Sequence, residues 1–404
     1  MPNSKVTVDA PAIRFSGFEG AWERKRLGEL AKSFEYGLNA PAIPFDGRHT
    51  YIRITDIKDA TRTLLSDGLT SPGADLSFCS DYLVQQGDVL FARTGASTGK
   101  TYLVRGHEGA AYFAGFLIRM RALDSASSSF VYYSTFTKAY SKFISIASQR
   151  SGQPGVNAGQ YSNWSLKVPS LPEQRAIGSL FSALDSLIEA EGAKLAALRA
   201  TRESMLARMF PREGEDVPEV RFARFEGAWE RRRLGEVAQR ITIPSDDPNL
   251  PRIEFEDLVA EQGSLKKRIG DLGHEKPGIE FRKGDVLYGK LRPYLHNWLN
   301  PSFDGIAVGD FWVLRPERND GGFLYRLVQS RRFDALANIS SGSKMPRADW
   351  GLLSSSSFCV PISLPEQRAI GSFFSRLDAL IEAQEKRVET LGRARRGLLA
   401  RMFC

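Results

Sequence analysis

Cysteine and histidine are scarce in this chain: its 404 residues hold three cysteines, Cys79, Cys359 and Cys404, and four histidines, His49, His107, His274 and His296. Three scattered thiols cannot make a disulfide framework, and neither residue type falls at metal-ligand spacing, so a stapled secreted scaffold and a zinc module are both excluded. A reducing cytoplasm is the expected compartment. No run of about 18 apolar residues occurs, and Met1 to Pro11 lacks the apolar core of a signal peptide, which argues against membrane spanning and secretion. Catalytic groupings are missing as well, since no Ser/His/Asp or Cys/His set assembles. Gly95 to Thr101 fails the phosphate-loop spacing Gly-x4-Gly-Lys-Thr by one residue, because position 94 is Thr. Asn300-Pro-Ser-Phe303 carries serine where the Asn-Pro-Pro-Phe of adenine methyltransferases has its second proline.

What is present is a chain able to bury real cores, 42% hydrophobic and 11% aromatic, with 55 Lys and Arg against 47 Asp and Glu. The resulting charge of +8 favours an anionic partner. Two long segments recur. Phe18 to Leu30 and Phe225 to Val237 are identical at 11 of 13 positions, offset by 207; Leu171 to Ala190 and Leu364 to Ala383 are identical at 17 of 20, offset by 193. The stretches between them share little beyond Gly-Asp-Val-Leu at Gly87 and Gly284. A constant frame therefore carries two different inserts.

After each Leu-Pro-Glu-Gln-Arg the apolar residues take a helical period: Ile177, Phe181, Leu184 and Ile188 in the first copy, Ile370, Phe374, Leu377 and Ile381 in the second. Pro172 and Pro365 suit the first turn of a helix. The pattern predicts two helices of roughly 35 residues, about 50 Å each, shaped as coiled-coil spacers. Glu191 and Gln384 lie on the seams, where polar residues either fix register or stand as local flaws of an ordinary surface helix. Chain order makes the pair antiparallel and pseudo-two-fold, with a module at each end. The expected organisation is a module over 1–170, a spacer helix over 171–212, a second module over 213–363 and a second helix over 364–404.

Each insert reads as mixed α/β (α+β), with strands at Thr50 to Ile54, Val89 to Ala92, Phe116 to Met120 and Phe311 to Leu314. The Gly-rich stretch after the second of these supplies Arg93, Thr94 and Lys100 as donors for a nucleic-acid backbone or base edge. Lys290, Arg292, Tyr294 and Asn297 fill the matching stretch of the second insert. A later polar loop carries Gln153, Asn157 and Gln160 in the first module and Ser343, Lys344 and Arg347 in the second. Asn and Gln suit adenine, whereas Lys and Arg suit guanine or phosphate. The other use of such a loop is a hydrogen-bonded turn that caps the module. Arg24 to Arg26 and Arg231 to Arg233 sit in the constant frame, so they fit phosphate contact or solvation and not the telling apart of sequences.

Together, GDVLFARTGASTGKTYLV, the Gln-Pro-Gly-Val-Asn loop and the doubled Leu-Pro-Glu-Gln-Arg-Ala-Ile helix start resemble the DNA sequence-specificity subunit of type I restriction-modification enzymes. The resemblance implies two target-recognition domains, each reading half of a split double-stranded DNA site. It implies that the helices marked by Ile177, Phe181, Leu184, Ile188, Ile370, Phe374, Leu377 and Ile381 dock two methyltransferase subunits, which the restriction subunits join. The chain itself is then non-catalytic and holds no metal or cofactor; S-adenosylmethionine, ATP and Mg belong to partner subunits. Two alternatives remain: the recognition subunit of a related split-site or modification-only system, and a tandem scaffold that never touches DNA.

Overall fold

The computed structural model describes residues 10–65, 67–106, 109–149, 153–273, 275–339 and 345–403. Contacts divide the chain into two compact units that do not follow chain order. Unit 1 is Met1–Glu191 with Arg387–Cys404, and unit 2 is Gly192–Lys386. Each unit thus owns the start of one long helix and the end of the other.

The inserts share a sheet that their sequences do not show. In unit 1 four antiparallel strands run in the order Ala31–Tyr36, Leu117–Ala122, Val89–Ala92, Thr101–Leu103. In unit 2 the same order recurs as Ala238–Ile241, Phe311–Pro316, Val286–Gly289, Trp298–Leu299. The Gly-Asp-Val-Leu strand is interior in both and fully buried, which is why it stays an unbroken apolar run. A parallel pair accompanies each sheet, His49–Ile52 with Ala110–Phe113 and Arg252–Ile253 with Gly305–Ala307. Two short helices follow, with Ser127, Thr137, Asp320 and Ser330 each accepting a backbone N–H as N-cap. The arginine-rich frame strands close each unit against a late strand, Glu23–Arg26 with Ser165–Val168 and Glu230–Arg233 with Ser357–Val360.

The long helices span Leu171–Arg208 and Leu364–Met402, 38 and 39 residues. The Glu-Gln of Leu-Pro-Glu-Gln-Arg explains why each begins where it does. Glu173 is buried and accepts two 2.7 Å bonds from Arg14. Glu366 does the same for Arg221 at 2.7 and 2.8 Å, and also accepts from the Trp229 indole at 3.2 Å. Gln174 accepts from the Ser127 N–H and donates to the Pro169 carbonyl; Gln367 accepts from the Asp320 N–H and donates to the Pro361 carbonyl. Gly371 lets the helix approach: a Cβ there would lie 2.9 Å from the Gly322 carbonyl carbon.

Ile177 and Phe181 are buried in the core of unit 1, beside Trp22, Phe130, Leu399 and Met402. Ile370 and Phe374 take the same places in unit 2, beside Met209, Phe210, Trp229 and Phe323. Leu377 is buried too, while Leu184, Ile188 and Ile381 are half-buried. As contact residues for another subunit the buried five are therefore ruled out: their side chains are spent on this chain's own cores. Polar pairs set the helix register. Asp185 pairs with Arg395 and Glu191 with Arg387 in unit 1; Asp378 pairs with Arg202 and Glu385 with Arg199 in unit 2. Partner numbers fall along one helix as they rise along the other, so the helices run antiparallel within each unit.

Because Arg221 and Trp229 both lose their acceptor, Glu366→Ala should cost about 3–5 kcal/mol, measured by chemical denaturation. Glu366→Gln should cost less, since an amide oxygen can still accept from the indole.

Candidate nucleic-acid interface

In each unit the loop leaving the Gly-Asp-Val-Leu strand is paired, backbone to backbone, with the later polar loop. In unit 1 Thr94 bridges Gly155; the Gly95 N–H donates to the Pro154 carbonyl at 3.0 Å, and the Val156 N–H to the Arg93 carbonyl at 2.9 Å. In unit 2 Leu291 bridges Arg347; the Arg292 N–H donates to the Pro346 carbonyl at 2.8 Å, and the Ala348 N–H to the Lys290 carbonyl at 2.8 Å. Gln153-Pro-Gly-Val-Asn157 and Met345-Pro-Arg-Ala-Asp349 are thus one structural loop with a single residue in common. Too little identity survives for sequence comparison to align them.

The side chains presented differ. The Arg93 guanidinium lies 4.8 Å from the centre of the half-exposed Tyr36 ring, and the Arg93 N–H donates to the carbonyl of exposed Phe116. Gln153 is exposed beside Gly95, and Thr94 is half-buried. Cation, amide and aromatic faces on one surface are the groups that bind phosphate, base edge and base face. Tyr36 and Phe116 were not singled out in the sequence; only the fold brings them beside Arg93.

Other expected site residues do structural work. Lys100 is 12% exposed, donating to the Ile57 carbonyl at 2.9 Å and pairing with Asp59 at 2.6 Å. Its charge is spent inside the unit. Asn157 caps the helix Ala158–Ser162: its Oδ1 accepts from the Gln160 N–H at 2.8 Å while the Gln160 Oε1 accepts from the Asn157 N–H at 2.9 Å. Gln160 also donates to the Ala147 carbonyl. Both residues therefore take the capping alternative, and Asp349 caps the matching helix in unit 2.

In unit 2 Lys290 and Arg347 both approach Asp310, at 3.5 and 3.2 Å. This carboxylate escaped the sequence reading because it lies 20 residues from one partner and 37 from the other. Arg292 is exposed, and among the described residues its guanidinium has no hydrogen-bond partner. Tyr294 is 51% exposed. Asn297 is buried, and its backbone carbonyl accepts from the Gly289 N–H at 2.7 Å, so it pairs strands and offers no surface. Ser343 and Lys344 lie outside the described residues.

The abandoned motifs have structural uses as well. The stretch from Gly95 returns into a strand at Thr101, not into a helix as a phosphate loop does. Asn300 donates to the Asp285 carbonyl at 2.9 Å. Among the described residues no group of His, Cys, Asp and Glu could hold a metal ion, and no helix is long and apolar enough to cross a membrane.

Fold and site together define a duplicated α/β protein with two like-built, differently lined loop pairs. Residues 19–200 match the family model described as the type I restriction modification DNA specificity domain. Over 94% of its length the chain is 21% identical to the type I restriction enzyme MjaVIII specificity subunit of Methanocaldococcus jannaschii, of which 91% is covered. Over 91% it is 23% identical to the EcoDI specificity subunit of Escherichia coli, of which 83% is covered. A crystal structure of the type I system S subunit from M. genitalium shares the fold, with TM-score 0.65 at 14% identity, covering 98% of this chain and 99% of that one. Over nearly its whole length the chain is thus similar to specificity subunits of type I restriction enzymes, and its residues 19–200 match their DNA specificity domain.

Two substitutions separate surface from scaffold. Arg292→Ala should cost about 1–3 kcal/mol of DNA binding with relaxed choice at one base pair if the guanidinium grips a guanine; a uniform loss over all sequences marks a phosphate contact instead. Lys100→Met should lower the melting temperature and leave the salt dependence of DNA binding unchanged.

Proposed function

We propose that this chain reads a bipartite site on double-stranded DNA, one half through the loop pair of each unit, and that it does so for catalytic subunits docked on its helices. The observation that carries the proposal is the recurrence of one loop pair on one sheet with different side chains. Arg93, Thr94 and Gln153 occupy it in unit 1, Lys290, Arg292 and Arg347 in unit 2. A frame kept constant while only the presented groups change is what two independent half-site readers on one scaffold require. The basic balance supports DNA over a protein-only scaffold, since cation contacts with phosphate supply most non-specific affinity.

On this reading the chain positions and does not catalyse. Two methyltransferase subunits supply S-adenosylmethionine and methylate an adenine in each half-site, and restriction subunits supply ATP-driven translocation and cleavage. With the helix seams turned into this chain's own cores, docking falls to the outward faces of the helices, where Leu187 and Leu380 are exposed at equivalent positions.

The test is the methylated motif in cells carrying this chain and its neighbouring modification gene. It should be an interrupted sequence, and replacing residues 31–150 with the insert of a relative should change one half only. A motif whose two halves change together overturns the half-site assignment. The purified chain alone should transfer no methyl group; reproducible transfer after stringent purification overturns the non-catalytic role.

A further inference from the structure

The two loop pairs make their tip turn with left-handed corners at the same two places and with opposite chemistry. In unit 1 the turn runs from Gly95 to Gly99, both left-handed, at φ +69° and +87°. In unit 2 it runs from Arg292 to His296, left-handed at the same two places with φ 49° and 53°. Glycine adopts this region freely, whereas an L side chain is strained there. Of the four non-glycine residues with positive φ among the described residues, three meet here: Arg292, His296 and Glu261. Unit 1 demonstrates that folding asks only for glycine at these positions. Strain kept where glycine would serve points to a use for the side chains.

The strained turn is also braced. Pro293 is buried at its first position, and the Leu295 and His296 N–H groups donate back to the carbonyls of Arg292 and Pro293 at 2.9 Å each. The His296 ring stacks on Trp298 with centroids 4.9 Å apart, its Nε2 lies 2.9 Å from an Asp334 carboxylate oxygen, and its carbonyl accepts from the Glu261 N–H. At the tip of this brace stand two apolar side chains, Tyr294 at 51% and Leu295 at 40% exposure, beside the exposed Arg292 guanidinium. Unit 1 offers Ala96, Ser97 and Thr98 at the corresponding tip.

We propose that the turn 292–296 is a rigid wedge that presses Tyr294 and Leu295 against a base step of the half-site read by unit 2, partly unstacking it, while Arg292 holds the adjacent backbone or base edge. This rests on the DNA-reading function above and gives unit 2 a mode of recognition that unit 1 lacks. An exposed apolar tip held stiff between strained anchors can deliver its contact energy to distorting DNA, because little is lost in ordering the loop. Selectivity then comes from how readily the step deforms as well as from base edges.

The experiment uses the chain co-purified with its modification subunits, without S-adenosylmethionine, and a duplex carrying the methylated motif. 2-Aminopurine replaces single adenines or their neighbours, excluding the methylated base. A several-fold rise in fluorescence is expected at one step of the unit 2 half-site on binding, and none in the unit 1 half-site. Tyr294→Ala should abolish the rise and weaken binding roughly five- to a hundredfold, while Tyr294→Phe should keep both. Replacing 292–296 by the Gly-Ala-Ser-Thr-Gly of unit 1 keeps a turn already shown to fold in this frame, and should bind without the rise. The wedge is overturned if the rise is absent in the parent complex, or persists in Tyr294→Ala and in the swapped turn, while salt-dependent DNA binding is intact. Loss of salt-dependent binding in the parent complex overturns the DNA-reading function itself.

Discussion

One acidic residue in each unit holds the long helices in register, and the architecture of both cores depends on it. Asp185 accepts from Arg395 at the far end of the other helix and from the Tyr133 hydroxyl at 2.9 Å, with Arg105 at 3.5 Å. Asp378 accepts from Arg202 at 2.7 Å and from the buried Arg326 at 2.6 Å. Asp185 and Asp378, like Arg202 and Arg395, are separated by the repeat offset of 193. A half-buried pair of this kind adds little net stability over apolar packing, yet it penalises every other register, because a slip strands a charge. Slippage is a real hazard for a helix whose apolar residues recur with one period over its whole length. Burial, reinforced by the charge of Asp185, raises the Tyr133 phenol far above its ordinary pKa, so the hydroxyl remains a donor to the carboxylate.

The register carries through to the cores. With Asp185 against Arg395, the end of the second helix delivers Leu399 and Met402 to the core that holds Ile177 and Phe181. With Asp378 against Arg202, the end of the first helix delivers Met209 and Phe210 to the core that holds Ile370 and Phe374. Neither unit closes its core without residues from the other copy's helix. This explains why the compact units cut across chain order. A division into modules and spacers, natural from sequence, assigns each helix to one place, whereas the packing assigns each helix to both units.

The duplication, the two long helices, their antiparallel sense and the strand after Gly-Asp were legible because each rests on a pattern that sequence displays: identity, a helical period, an apolar run. The common sheet of the two inserts was not, since four antiparallel strands tolerate any residues that keep faces apolar, and identity had decayed to one tetrapeptide. The site was half legible. Arg93, Arg292, Gln153 and Arg347, expected as donors in glycine- or proline-marked loops, lie on the paired loops. Lys100, Asn157, Gln160 and Asn297 were chosen on residue type, and type does not distinguish a donor aimed outward from one spent on a carbonyl, a cap or a strand edge. Asp310 and Tyr36 were invisible because what places them is contact across the sheet, not spacing along the chain.

The paired loops explain how such a frame tolerates divergence at its working surface. Their mutual hydrogen bonds run mainly between backbone groups, from Gly95 to Pro154 in one unit and from Arg292 to Pro346 in the other, with the Thr98 hydroxyl adding a bond to the Pro154 carbonyl in unit 1, and so place little demand on side chains. Even the left-handed corners, where glycine is the easy solution, accept arginine and histidine once stacking on Trp298 and the bond to Asp334 offset the strain. Exposed side chains at the tips, such as Tyr294, are thereby largely released from duty to the fold. The residues kept the same in both copies are the ones that reach inward, Glu173, Gln174, Glu366 and Gln367, each making at least two bonds at a helix start. Constancy in this chain follows the inward bonds, and variation collects where backbone alone holds the shape.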